Sequence, residues 1–149
     1  MQNKEANIEQ RLRTLRILWF AMLSNVAIFF LFVSFAFEPS NANVSNNTLS
    51  IALLVVGITL VIVSFLMKQK MLQLSVSQQK PDMVQTAFVL AWAISEAAAL
   101  LGILDRFLTG NPYYFILLAI SFVGIALNIP KRDHLLAATY KLNSQGSGS

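Results

Sequence analysis

From Ala87 to Leu104 the chain reads AFVLAWAISEAAALLGIL, eighteen residues in which Glu96 alone interrupts an apolar run rich in small side chains. As a helix rising ~1.5 Å per residue, such a run nearly matches the ~30 Å hydrocarbon core of a bilayer. In lipid every backbone polar group needs an internal partner, which leaves helices and closed barrels. A barrel strand would alternate apolar with polar residues, and this run does not. The carboxyl near its midpoint is the second constraint. Ionised at the centre of a spanning helix, it costs at least ~2.5 kcal/mol on insertion scales. Glu96 is therefore expected to be protonated, paired or hydrated, and is by default the candidate functional residue.

Three further runs have comparable length. The predicted spans are about 17–37, 49–67, 84–108 and 113–129, close to the ~20 residues a spanning helix needs. The fold class expected is all-α: an integral membrane four-helix bundle of two helical hairpins, forming one domain over 1–143. Residues 144–149 end in Gly-Ser-Gly-Ser, the composition of a flexible linker, and are set aside. The first apolar run is longer than a signal-peptide core and no Ala-x-Ala-like site follows it directly, so no cleaved signal is expected.

The chain is 56% hydrophobic and 12% charged, more apolar surface than a soluble domain of 149 residues would hide. Its charges are segregated. Lys4, Arg11, Arg13 and Arg16 precede the first span, Lys68, Lys70 and Lys80 lie between the second and third, and Lys131, Arg132 and Lys141 follow the fourth. The stretch Glu38–Thr48 has no Lys or Arg. Positive-inside bias thus places both termini and the middle loop in the cytoplasm; the membrane expected is a bacterial inner membrane. The net charge of +4 is juxtamembrane and is not the footprint of a nucleic-acid surface. With no Cys and one His there is no disulfide framework or histidine cluster. No paired carboxylates, nucleophile–base set or phosphate loop points to an enzyme. Neither a cofactor nor a bound metal is expected, beyond H⁺ or Na⁺.

Residues 1–16 place Ile8, Leu12 and Leu15 at helical spacing with arginines between them, an interfacial extension of the first helix with no lipid-recognition role. Trp19, Phe107, Tyr113, Tyr114 and Tyr140 fall near predicted span ends, as aromatic belts do. Asn43-Val44-Ser45 and Asn46-Asn47-Thr48 match glycosylation sequons, as an Asn- and Ser-rich turn does by chance.

Spans one and three run in the same direction under this topology. Asn25 is the ninth residue of its run and Glu96 the tenth, so both lie ~14 Å deep and face each other if their helices are neighbours. Ser24-Asn25 and Ser95-Glu96 also align at an offset of 71, as in a duplicated hairpin. Ala91, Ser95 and Ala99 form one small-residue row and Ala98 and Gly102 another, patterns that let helix backbones approach closely. Ser95 and Asn25 are the expected supporting groups of Glu96, with Trp92 one turn earlier on a similar face. Elsewhere blander roles are expected. Asp105 and Arg106 read as an interfacial pair, Thr59 and Ser64 as hydroxyls bonded back to their own helix, Asn128-Ile129-Pro130 as a helix end, and His134 as solvated.

Gln78-Gln79-Lys80-Pro81-Asp82 followed by ISEAAALLGIL around Glu96 resembles the proteolipid c subunit of rotary ATP synthases over about one helix and part of a loop. That family has a helical hairpin, a polar loop with an Arg-Gln-Pro-acid motif, and a second helix with a central carboxylate. The resemblance implies that Glu96 carries the proton or cation and that Lys80, Pro81 and Asp82 occupy the polar loop. Lys80 stands where the family has arginine, and Pro81 to Glu96 is shorter than the family separation by nearly one turn. Small multidrug-type antiporters also use four spans and a membrane carboxylate, but in the first helix, where this chain has Asn25.

Two functional expectations follow. The first is an oligomeric membrane protein whose Glu96 binds or exchanges a proton or monovalent cation. The second is a non-transporting accessory subunit in which Glu96 fixes helix–helix assembly, with a second copy or a partner membrane subunit.

Overall fold

The computed structural model describes residues 2–36 and 47–140, and side chains from residue 6 onward within them. Most of the stretch 38–48 with both sequon asparagines, the side chain of Lys4, Lys141 and the Gly-Ser tail lie outside the described residues. Among the described residues all regular structure is helical: α1 (Gln2–Ala36), α2 (Asn47–Gln78), α3 (Pro81–Thr109), a 3₁₀ turn (Pro112–Tyr114), α4 (Phe115–Leu127) and α5 (Arg132–Thr139).

Three helices, α1 to α3, are long and apolar enough to cross a membrane, and the count rises to four only if α4 and α5 are one bent span. Phe20 and Phe35 of α1, Ile51 and Leu66 of α2, and Leu100 and Leu108 of α3 are exposed. Surface of this kind on several helices marks a face meant for lipid rather than water.

The predicted fourth span departs most from a single straight helix. Tyr113–Ile129 is not one helix: α4 holds 13 residues, ~20 Å of rise against a ~30 Å core. Pro112 starts a 3₁₀ turn before it, with the Asn111 side chain accepting from the Tyr113 N–H at 2.9 Å. At its far end Asn128 leaves helical geometry (φ −90°, ψ 44°), and Pro130 has no N–H to continue the ladder. The chain then resumes as α5, bent by 51° from α4.

The middle loop also differs. Lys68 and Lys70 belong to α2, which continues about three turns beyond its apolar run. Only Gln79 and Lys80 separate α2 from α3. Gln79 adopts a left-handed φ of 53°. Its N–H donates to the Val76 carbonyl at 3.3 Å, and the Lys80 N–H to Ser75 at 3.0 Å. These are the paired bonds of a Schellman stop. Pro81 then opens α3 at the position where its missing N–H costs nothing. At the other end Gly110, with φ 64°, closes α3 by donating to the Arg106 carbonyl.

Helix α3 is central, packing against α1, α2, α4 and α5, most extensively against α2. One apolar cluster joins Val26 of α1, Phe88, Trp92 and Ala99 of α3, Leu118 and Ile125 of α4, and Leu135 of α5. Ile8, Leu12 and Leu15 join the same cluster. The lead-in is thus an extension of the first helix, as expected, but its apolar face turns toward protein.

Candidate functional site

Glu96 lies fourteen residues from Asp82 and nine from Asp105 on α3, ~21 Å and ~14 Å along the axis. Across from it on α1, the Asn25 carboxamide Nδ2 donates to Glu96 Oε1, and both side chains are half-buried. The two residues expected at equal depth, Asn25 and Glu96, therefore meet. Among the described residues Asn25 is the one hydrogen-bond partner of Glu96. A carboxyl can use this bond in either protonation state, because the amide donates to an oxygen that accepts in both.

Ser95 turns away from this pair. Its hydroxyl lies 3.0 Å from Ser64 Oγ of α2, and Ser64 also donates to the Val61 carbonyl at 2.7 Å, the own-helix bond expected of it. Adjacent residues on a helix point ~100° apart, so Ser95 serves the α2–α3 contact while Glu96 faces α1. Thr59 likewise bonds its own helix at Val55.

The small residues do what their spacing implies. A Cβ on Gly57 of α2 would collide with Leu117 and touch Ala98. A Cβ on Gly102 would lie 2.9 Å from both Leu117 Cβ and the Tyr114 carbonyl, and one on Gly124 of α4 3.3 Å from Ser95 Oγ. Ala91, Ala98 and Ala99 are fully buried. Among the described residues the Ser121 hydroxyl of α4, also fully buried, has no hydrogen-bond partner.

Asp105 is no interfacial partner of Arg106. Only 2% exposed, it accepts at Oδ1 from Ser50 of α2 at 2.6 Å and from Thr109 at 2.9 Å, and at Oδ2 from the Asn111 amide at 2.9 Å. Arg106 instead donates to the Gly110 carbonyl at 2.8 Å and stacks 5.7 Å from the Tyr114 ring. The i, i+4 spacing of Asp105 and Thr109 hints at this cluster, but nothing local points to Ser50, 55 residues away.

A second polar cluster satisfies the broken end of α4. Trp19 donates its indole N–H to the Ile125 carbonyl at 2.9 Å, and Trp92 to the Asn128 carbonyl at 3.0 Å. Trp19, in the middle of α1, thus binds the end of another helix. The Asn128 amide donates to the Gly124 carbonyl at 2.7 Å, while its Oδ1 accepts from Lys68. The Lys68 ammonium lies between the Phe65 and Phe88 rings, 5.4 and 5.5 Å from their centroids. His134 is not freely solvated, since its ring lies 5.6 Å from Phe88. Burial first, then the Lys68 and Lys131 charges, lower its pKa, and Asp133 opposes them.

The residues of the supposed polar loop are at the basic end, far from Glu96. Lys80 is exposed beside the turn and its side chain caps nothing, Pro81 is the first residue of α3, and Asp82 pairs with Arg11 of α1. Among the described residues no three or more His, Cys, Asp or Glu side chains group as metal ligands. No family model, no curated protein and no solved structure matches the chain.

Proposed function

We propose that this chain is a small multi-pass membrane protein in which Glu96 binds or exchanges a proton or a monovalent cation such as Na⁺, with Asn25 as its hydrogen-bonding partner. One observation carries the reading: the central helix holds a carboxyl midway between charged ends, bonded to an amide from another helix. A neutral carboxyl tolerates this depth, and ionisation there requires water or a counter-cation. Exchange between the two is the chemistry such a group offers. In this reading α4 completes a four-helix unit, and α5 continues the chain at the basic end. The end bearing Arg11, Arg13, Arg16, Lys68, Lys70, Lys80, Lys131 and Arg132 is cytoplasmic, in a plasma-type membrane. The proteolipid likeness adds only the idea of a carboxyl loaded from one side of a tight hairpin.

The test is carbodiimide labelling in detergent. Dicyclohexylcarbodiimide should modify Glu96, the label should vanish in Glu96→Gln, and raising the pH or adding Na⁺ should slow it. Labelling indifferent to both pH and Na⁺, with Glu96→Gln leaving ion flux in vesicles unchanged, refutes the proposal.

A second reading is favoured by the same contact seen differently: Asn25 and Glu96 already tie α1 to α3 within one chain. Glu96 would then fix helix register in a structural subunit that assembles with itself or a partner. Glu96→Gln should keep the assembled size in detergent and Glu96→Leu should lose it.

A further inference from the structure

At the basic end an open cleft of about 520 Å³ is lined by Arg13 and Arg16 of α1 and Arg132 of α5, over an apolar wall that includes Ile17 and Phe20. Arg13 and Arg16 are one turn apart on α1. Arg132 reaches the same cleft because α5 bends away from α4 immediately before it. Among the described residues none of the three has an ion-pair or hydrogen-bond partner, whereas neighbouring Arg11 is paired with Asp82. Glu9 also lines the cleft, so three guanidiniums stand against one carboxylate.

Further along the same face of α1 a second groove, about 480 Å³, runs between α1 and α4. Its lining, with Ala27, Leu31, Leu118 and Phe122, is apolar throughout. Arg16 to Ala27 is eleven residues, a rise of ~16 Å, so an acyl chain spanning the ~15 Å of half a bilayer core runs down α1 past Ile17 and Phe20 and ends at the near edge of this groove. Guanidiniums bind phosphate through forked N–H pairs, and apolar walls bind hydrocarbon. A soluble phosphate would leave the groove empty, and a zwitterionic lipid would leave the excess positive charge unmatched.

We propose that the seam between α1 and α4–α5 binds one anionic phospholipid, its phosphate among Arg13, Arg16 and Arg132 and one acyl chain running past Ile17 and Phe20 to end in the near part of the α1–α4 groove. The site is separate from Glu96 and does not depend on what Glu96 does.

The test is native mass spectrometry of the full chain in neutral detergent, titrated with phosphatidylglycerol, with phosphatidylcholine of the same chains, and with inorganic phosphate. Phosphatidylglycerol should be retained in preference to the other two. Arg16→Gln and Arg132→Gln should each weaken it about fivefold, the worth of one basic residue at an anionic surface. Lys70→Gln, the same charge change outside the cleft, should leave it unchanged. Ala27→Phe, which fills the groove, should weaken the lipid and not the phosphate. Equal retention of both lipids overturns the proposal. So does a Lys70→Gln loss as large as that of Arg132→Gln, which would mean a diffuse field. Inorganic phosphate binding as tightly as phosphatidylglycerol, with Ala27→Phe silent, overturns it in favour of a soluble-anion site.

Discussion

Removing both halves of the Asn25–Glu96 pair should harm the protein less than the two single removals added together. The suitable perturbations keep shape and delete polarity: Asn25→Leu, Glu96→Met and the double variant. Each single change strands a half-buried polar partner between α1 and α3, at a cost of ~1–3 kcal/mol. The double change leaves two apolar side chains facing each other in an apolar medium, so its loss should be smaller than the sum. If Glu96 is neutral, the coupling should fall within the range of interhelical bonds in lipid, ~0.6 to ~1.7 kcal/mol. If it is ionised, a charge-assisted bond should raise the coupling to ~1.5–3 kcal/mol.

Glu96→Gln separates the two cases, because the Gln carbonyl accepts from Asn25 as a neutral carboxyl does. It should be within ~0.5 kcal/mol of wild type in the neutral case and lose ~1 kcal/mol or more in the ionised one. The assay is reversible unfolding from mild detergent into dodecyl sulfate, followed by circular dichroism at two pH values. A coupling inside the ~0.3–0.5 kcal/mol that unconnected sites show would mean that the pair neither ties α1 to α3 nor marks a dry interior. The ion-exchange reading would lose its basis with it.

Three further outcomes are expected of the same unfolding assay. Gly102→Ala meets Leu117 Cβ and the Tyr114 carbonyl at 2.9 Å, one of them backbone, and should cost ~1–3 kcal/mol, whereas Gly124→Ala meets Val61 at 3.0 Å and should cost clearly less; equal losses would refute the ranking. Ser121→Ala removes a buried hydroxyl that has no partner and should leave stability unchanged or raise it by up to ~1 kcal/mol; a loss above ~1 kcal/mol would reveal a bond this geometry lacks. His134 has a folded pKa below its ordinary 6.5. The unfolded chain therefore binds its proton first, and the stability it contributes is complete above pH ~6.5 and declines as pH falls through the folded value. His134→Gln should flatten that decline, and an unchanged profile would assign it to another group.

Why Asn25 and Glu96 could be paired from the sequence, while Asp105 and Lys68 could not be placed, has one physical origin. The rise of a helix is fixed, so counting residues inward from the basic ends gives depth, and two polar groups at equal depth on neighbouring helices can meet. The observed bond spans the 71 residues that the count implied. Direction around the axis is not fixed by such a count. Ser95 and Glu96 share a depth and diverge to α2 and α1, and Asp105 and Arg106 diverge in the same way, one to Ser50 and Thr109 and the other to Gly110. The small residues were legible because tight approach depends on side-chain size whichever helix arrives, and the neighbours of Gly102 arrive close. The end of α4 after Leu127 was legible in Asn128-Ile129-Pro130, but its distant partners and the resumption as α5 were not, because the apolar pattern says nothing of what meets a helix end. What meets it is supplied from a distance: Trp19, Trp92 and Lys68 come from three other helices to satisfy Ile125 and Asn128. Lys68 looked like loop because lysine seldom sits inside a span, yet α2 carries it on as helix to a ready-made acceptor at the broken end of α4. A helix that stops short in an apolar layer must find donors for its last carbonyls, and here two indoles and an amide supply them. The same stop lets α5 turn aside and bring Arg132 to Arg13 and Arg16, so an arrangement the apolar pattern does not show gathers three guanidiniums in one cleft.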